Sequence, residues 1–326
     1  MKTRRAGSAG YKLSSMVVNR AKYSALLCLL LVAASCSSDK RSPVADTTVP
    51  VQPKPMASTA LPVNTGWEED EAGPALLLSS PDNPAIASVV IPTMTDTALA
   101  TASGLNADSL AGMSFDLFSR SGISGSARLS KRAQSTTLEG CLGWPLMILE
   151  SDSQRPWQVG FRRGMATTLP LDSLEGLSPA DSALVTTELA RLASALPASN
   201  DPAFQGLPFT VRKAYRASFD RTSLLVGDIV RKINEEANPR EEHLLLVAER
   251  SLSDAGRYQT VFQSRAAGSE ELVRTSDVVA VVRFVNGGRA AIVVSFEYEN
   301  GSRVVLIERT APLHWKQAWR SAYAGC

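Results

Sequence analysis

From residue 209 onward, turn-forming residues cut this sequence into lengths that strands fill and long helices do not. Segments 209–219, 223–233, 243–250, 257–264 and 278–285 are rich in β-branched and aromatic side chains. Asp220-Arg221-Thr222, Asn238-Pro239 and Asp254-Ala255-Gly256 separate them. Near the C-terminus, Asn286-Gly287-Gly288 and Asn300-Gly301 mark tight hairpins, because Asn and Gly accept the positive φ that such turns demand. They join 278–285, 290–298 and 303–309 into an antiparallel meander, and 314–322 supplies a closing strand. Pro239-Arg240-Glu241-Glu242 offers one helical turn between strands.

Upstream, 114–120 and 123–129 alternate apolar and polar residues around Ser121-Gly122, which reads as a hairpin. Segments 142–149 and 157–161 read as a second strand pair, with Pro145 placing the first at a strand start or sheet edge. One helix interrupts the pattern near 179–196. Ser178 is its N-cap, Pro179 its first residue and Asp181 its third. Val185, Leu189, Leu192 and Leu196 recur at spacings of four, three and four, a single apolar stripe for core packing, and Pro197 stops the helix. The body is therefore mainly β in an α+β arrangement. It is an antiparallel meander built as a sandwich, an open barrel or a propeller, with one main helix. The last four strands resemble one blade of the FG-GAP/VCBS-type propeller repeats of secreted proteins over about 45 residues. The Asp-rich calcium loop of that family is missing, and Asn286-Gly287-Gly288-Arg289 stands near its place, so the resemblance brings no calcium site.

The first 35 residues are an address. They hold six basic residues (Lys2, Arg4, Arg5, Lys12, Arg20, Lys22) and no acid, followed by the apolar run 24–34. Eleven residues fall short of a bilayer span but suit the apolar region of a signal peptide. Val32-Ala33-Ala34-Ser35-Cys36 then resembles the lipobox of bacterial lipoproteins, with Ala33 where the family more often has Leu. The resemblance implies a diacylglycerol on the Cys36 sulfur, cleavage before Cys36 and acylation of the new N-terminus. Several acyl chains on one residue anchor stably, since each buried CH₂ contributes about 0.8 kcal/mol. Ser37 stands where an Asp often retains diderm lipoproteins at the inner membrane. The implied location is then the outer membrane facing the periplasm, or the outer face of the cell membrane where there is only one. Met16 offers a second start that keeps Arg20 and Lys22 in the leader.

Removing the leader changes the charge. The whole chain has 34 bases and 32 acids, a net +2; without the six leader bases, 28 face 32, a net −4. A mildly acidic body has no global attraction for nucleic acid. Residues 36–74 carry prolines at 43, 50, 53, 55, 62 and 74, a density that supports an extended tether rather than helix or sheet. The acidic run 67–71 within it reads as a solvated patch. Residues 75–112, rich in Ala, Ser and Thr, form an arm, laid over the body or poorly ordered, and the folded ectodomain spans 113–326.

With Cys28 lost in the leader and Cys36 acylated, Cys141 and Cys326 remain. In an oxidising compartment two leftover thiols pair, here across a loop of 186 residues. Trp144, Trp315, Trp319 and Tyr323 flank the two cysteines and are expected to pack around the bridge.

Signatures of chemistry are sparse. Gly122-Ile123-Ser124-Gly125-Ser126 misses the nucleophile-elbow spacing by one position, and there is neither a phosphate-binding Gly-rich loop nor a His-Glu-x-x-His. His243 follows Glu241 and Glu242, the setting of a carboxylate-oriented base, but it also opens the run Leu244-Leu245-Leu246-Val247, where a partly exposed strand-start His is the ordinary reading. His314 reads as surface packing. Neighbouring acids such as Glu235-Glu236 and Glu270-Glu271 point to opposite faces if they lie on strands. The basic pairs Arg162-Arg163, Arg212-Lys213 and Arg231-Lys232 read as solvated strand edges. No cofactor or metal set is expected. The expected function is a lipid-anchored envelope protein with a non-catalytic binding or scaffolding ectodomain and an envelope protein or polymer as partner. The alternatives are an envelope hydrolase using dispersed carboxylates or His243, and an assembly or stress factor acting through an exposed sheet edge.

Overall fold

Short apolar runs early in the chain close a sheet on itself. The computed structural model describes residues 74–92, 107–134, 141, 143–151, 155–253 and 256–326; the leader, Cys36, the acidic run 67–71 and the rest of the tether before Pro74 lie outside the described residues. Strands β1 (Leu76–Ser79), β2 (Ile86–Val90), β3 (Ser114–Ser119), β4 (Gly122–Arg132), β5 (Leu146–Ser151) and β6 (Val159–Arg162) form a closed barrel in the order β1-β2-β5-β4-β3-β6, with β6 returning to β1. The segment expected as an arm thus supplies two barrel strands. Leu76, Leu77, Val89 and Val90 are fully buried, and short apolar runs among Ala and Ser are enough for a strand with one neighbour on each side. The hairpin at Ser121-Gly122 forms as expected. Segments 142–149 and 157–161 do not pair with each other. β5 lies between β2 and β4, and β6 between β1 and β3, so both pairings are long-range.

After the barrel come β7 (Ala166–Leu169), β8 (Leu171–Ser173) and α1 (Pro179–Ser194), then β9 (Thr210–Phe219), β10 (Thr222–Ile233), β11 (Arg240–Ser251), β12 (Gln259–Ser269), β13 (Thr275–Phe284), β14 (Ala290–Tyr298), β15 (Gly301–Ala311), β16 (His314–Arg320) and β17 (Ala324–Gly325). They make two antiparallel sheets, β12-β11-β10-β9-β8 and β16-β15-β14-β13-β7, with β17 on β15. The mainly-β, α+β body is therefore a barrel plus a sandwich, and the last four strands belong to a sheet with both faces buried rather than to a propeller blade. Pro239 is followed directly by strand, not by a helical turn, because Arg240 to Glu242 pair with Ser269 to Ala267 on one side and Ile233 to Arg231 on the other.

Alternation along the strands stacks the layers. Ala280, Val282, Ala291, Val293, Val304 and Leu306 face the barrel core, while Val281, Ile292, Val294, Val305 and Ile307 meet Tyr215, Leu224, Val226, Leu245 and Val247 of the five-stranded sheet. On the far face of that sheet, Ala214, Leu225, Ile229, Leu244, Leu246 and Ala248 receive Val185, Leu189, Leu192 and Ala193 of α1. The Ser178 hydroxyl accepts from the Asp181 N–H at 3.2 Å, with Pro179 as first helical residue. Gly227 on β10 seats the helix: a Cβ there would lie 2.9 Å from a Leu189 methyl. Gly287 (φ 79°) and Gly288 (φ 61°) make the β13–β14 connection, as the turn chemistry requires.

Cys141 and Cys326 form a disulfide with Cα atoms 4.3 Å apart. The C-terminal residues bind the barrel to the six-stranded sheet by further bonds: Ala322 N–H donates to Ile91 O (2.8 Å), and the Trp144 indole donates to Ala322 O (3.3 Å). Tyr323 stacks edge-on against Tyr298 at 5.6 Å, and Trp319 packs on the barrel core. Trp315 is the exception to the expected aromatic cluster. Gln317 faces Ile307 and Trp319 faces Leu306, so Ala318 is an extra residue; this bulge turns Trp315 to the opposite layer, against Phe219.

Candidate functional site

The β10–β11 hairpin gathers charge at one end of the sandwich. Its register sets Val230 opposite His243 and Lys232 opposite Glu241, so Asp228, Lys232, Glu241 and His243 share one face. His243 Nδ1 lies 3.2 Å from Asp228 Oδ1, and Nε2 lies 2.6 Å from Glu241 Oε2. The Arg212 guanidinium donates to the other oxygen of Asp228 at 2.7 Å, and Lys232 pairs with Glu241. His243 is 3% exposed, so the expected strand-start position is corrected: it lies inside β11, walled in by side chains from β9 and β10.

Both ring nitrogens face carboxyl oxygens, of Asp228 and of Glu241, an arrangement that favours the ring with a hydrogen on each nitrogen. Burial pushes the imidazole pKa down, but the bonds to Asp228 and Glu241 outweigh it and hold the value above the ordinary one. Burial likewise pushes Glu241 up, and Lys232 and His243 outweigh that, so its pKa is lowered. A raised histidine pKa stabilises the fold fully below about pH 6.5, the unfolded value, and the contribution fades as pH rises through the folded value. Urea denaturation of the chain is expected to show lower stability at about pH 9 than at about pH 6, and His243→Gln is expected to remove most of that slope. An unchanged slope in the variant would contradict the assignment.

The opposite face of the same hairpin carries a second cluster. Glu242 is fully buried and accepts from Arg231 Nε, from the Ser199 hydroxyl and, at 3.5 Å, from Arg265. Arg231 stacks on Phe209 at 4.6 Å. The pairs Arg212-Lys213 and Arg231-Lys232 are thus not solvated edges, whereas Arg163 of the pair Arg162-Arg163 is exposed at the end of β6, as expected. Arg231 is 6% exposed, Arg212 and Lys232 serve the His243 cluster, and Lys213 donates to Asp277 at 2.7 Å. Successive residues alternate faces, and each face offers them a carboxylate. Glu235, Glu236, Glu270 and Glu271 are exposed on turns, so strand alternation does not govern them. His314 is exposed at the start of β16. Among the described residues, no group of three or more His, Cys, Asp or Glu is placed to hold a metal ion, and no helix is long and apolar enough to cross a membrane.

Two surface features remain. A cleft of about 680 Å³ opens between α1 and the ends of β9, β10 and β11, lined by Arg216, Ser223, Arg250, Arg257, Tyr258 and Leu184 among others. A shallower groove of about 500 Å³ runs beside β12, between Ser199–Pro202 and Arg265–Ala267. His243 lines neither. β12 is also the long edge of its sheet. The other sheet edges are short or charged: β8 has three residues, β7 four, and β16 seven, with His314, Lys316, Arg320 and two register shifts. β12 has eleven residues, no proline and one charge, Arg265, whose guanidinium turns to Glu242 and to Pro197 O. From Phe262 to Ser269 its register with β11 is unbroken, and among the described residues no strand pairs with its outer side.

Sequence reasoning anticipated neither the cleft nor its residues, since Ser223, Arg250 and Tyr258 converge only through tertiary packing. The edge had a signal in the low charge over 258–269, where Arg265 is the one charged residue. In comparisons with known proteins, no family model, no curated protein and no solved structure matches this chain.

Proposed function

We propose that this chain is a lipid-anchored envelope protein whose β-rich body binds a partner rather than transforming a substrate. The anchor rests on the lipobox-like Val32-Ala33-Ala34-Ser35-Cys36 behind a basic, apolar leader. The single observation that carries the binding role is β12, an eleven-residue edge strand without proline, whose one charge, Arg265, is drawn to Glu242 and whose register is unbroken from Phe262 to Ser269. The partner is an extended segment of another envelope protein, running beside β12 and adding a strand to the sheet. The small side chains of Ala266, Ala267 and Gly268 leave room for close approach. The imidazole that a hydrolase would use has both nitrogens committed to carboxylates, which favours a structural role for His243.

A photo-crosslinking residue placed at Gln263 in cells is expected to trap discrete adducts, while one at Lys316 on β16 does not. Ala267→Lys is expected to reduce the Gln263 adducts at least tenfold, because a charge on the edge opposes strand addition. Adducts that are equally strong at Lys316, or indifferent to Ala267→Lys, would contradict the edge as the binding element.

A further inference from the structure

The cleft beside α1 sets two arginines without a close ion-pair partner, Arg250 and Arg257, beside an apolar rim, their attraction to Glu188 acting at longer range. Arg216 is matched by Asp172 at 3.6 Å and Asp181 at 3.7 Å. Glu188, the remaining acid of the lining, takes two hydrogen bonds from Arg191, at 2.8 and 2.6 Å. Arg250 and Arg257 then have no ion-pair partner within 4 Å among the described residues. Arg250 is held in place. Its guanidinium stacks on the Tyr258 ring at 4.6 Å, and the Tyr258 hydroxyl is fixed by Ser223 Oγ at 2.7 Å. Its Nε is sealed from solvent and meets no acceptor among the described residues, and the residue lines the cleft. At the rim, Leu184 is 68% exposed and Leu252 is 52% exposed, with Val185 and Leu225 deeper in the same lining.

We infer that this cleft binds an anionic amphiphile, a phosphate or carboxylate head joined to one apolar group. The head sits against Arg250 and Arg257, within reach of the Ser223–Tyr258 hydroxyl pair, and the apolar part lies on Leu184 and Leu252. A volume of about 680 Å³ suits one such group, since ligand clefts commonly run from roughly 300 to 1,000 Å³. Guanidinium groups favour these heads because their planar N–H forks match two oxygens at once. The site lies on the helix-covered face of the sheet, apart from the outer edge of β12, and does not depend on what that edge binds.

The same head chemistry occurs on free amphiphiles and on lipids in a bilayer, and the test separates them. Isothermal titration of the purified full-length chain would use octyl phosphate, inorganic phosphate and octyl glucoside. Saturable one-site binding of octyl phosphate is expected, weaker binding of inorganic phosphate, and none of the uncharged glucoside. Arg250→Gln with Arg257→Gln should weaken octyl phosphate at least tenfold, and Leu184→Ser with Leu252→Ser should weaken it while sparing inorganic phosphate. Far-UV circular dichroism and thermal melting would verify that both variants fold. Flotation with vesicles containing an anionic phospholipid, taken as the excess over flotation with purely zwitterionic vesicles so that the Cys36 lipid cancels, and compared with the arginine variant, reads the source. A loss of that excess in the variant assigns the head to a bilayer lipid; an excess unchanged in the variant assigns it to a free amphiphile. Equal binding of octyl phosphate and octyl glucoside, no binding of octyl phosphate, or full affinity in the folded arginine variant would overturn the inference.

Discussion

Replacing Glu249 with alanine is expected to destabilise the body by about 3–5 kcal/mol, the usual cost of breaking a buried ion pair from one side. Glu249 is 2% exposed on β11, and it receives four donors from the β15–β16 hairpin of the facing sheet. Arg309 gives Nε at 3.1 Å and Nη2 at 2.6 Å, the Leu313 backbone N–H is at 3.2 Å, and the Trp315 indole N–H is at 2.6 Å. The carboxylate thus fastens one sheet to the other. It also steadies a backbone that would otherwise be costly: Leu313 has φ 61°, a left-handed conformation that costs a side-chain-bearing residue roughly 1–2 kcal/mol. Burial pushes the Glu249 carboxyl up, but Arg309, Trp315 and the Leu313 N–H outweigh it and hold it below the ordinary glutamate range. A lowered pKa contributes stability above the unfolded value of about 4.3, lost as pH falls through the folded one. Thermal melts at neutral pH should show a fall of about 10 °C in Glu249→Ala, together with a weaker loss of stability on acidification. A drop of less than about 1 kcal/mol would mean that the hairpin is held by its apolar contacts alone.

Cutting the disulfide is expected to have a comparable effect. The bridge closes a loop that holds every strand from β5 to β17, its ends 185 positions apart in sequence. For a loop of that length the chain-entropy model gives roughly 5 kcal/mol as an upper figure, and native bridges commonly contribute about 2–5 kcal/mol. Cys141→Ser, Cys326→Ser and the double variant should therefore lose similar stability, and reductant should add nothing further to any of them. The C-terminal residues 321–326 are expected to exchange amide hydrogens sooner, because they hold β17 and the contact with Ile91. Equal stability in the oxidised chain and in Cys326→Ser would show that those backbone bonds suffice without the bridge.

Local chemistry made the later strands legible. Turns at Asp220-Arg221 and Asn286-Gly287-Gly288 depend on residues next to one another, and each stands between strands where the spacing places it; the last turn falls one residue earlier than expected, on Glu299-Asn300, with Gly301 already opening β15 and neither Asn300 nor Gly301 at positive φ. The helix was legible for the same reason, since Ser178, Pro179 and the Val185–Leu189–Leu192 stripe act within a few turns. The barrel was not, because β5 and β6 find their partners in β1, β2, β3 and β4 rather than in each other, and no period in the sequence records that. The buried charges were hidden by the same non-locality. His243 beside Glu241 was visible, but Asp228 and Arg212 reach it only through the register of β9, β10 and β11. Once that hairpin is drawn, the alternation Asp228-x-Val230-x-Lys232 against Glu241-x-His243 places the ions face to face.

The proposed envelope location and choice of partner both follow from a lipid at Cys36. Mass spectrometry of the N-terminal peptide from protein extracted out of the cell membrane fraction tests this directly. The account predicts a chain that begins at Cys36 and carries the added mass of a diacylglycerol and a further acyl group. It also predicts that Cys36→Ser leaves the leader attached and the acyl mass absent. Cys36 found as a free thiol, inside a chain that still begins at Met1 or Met16, would contradict it.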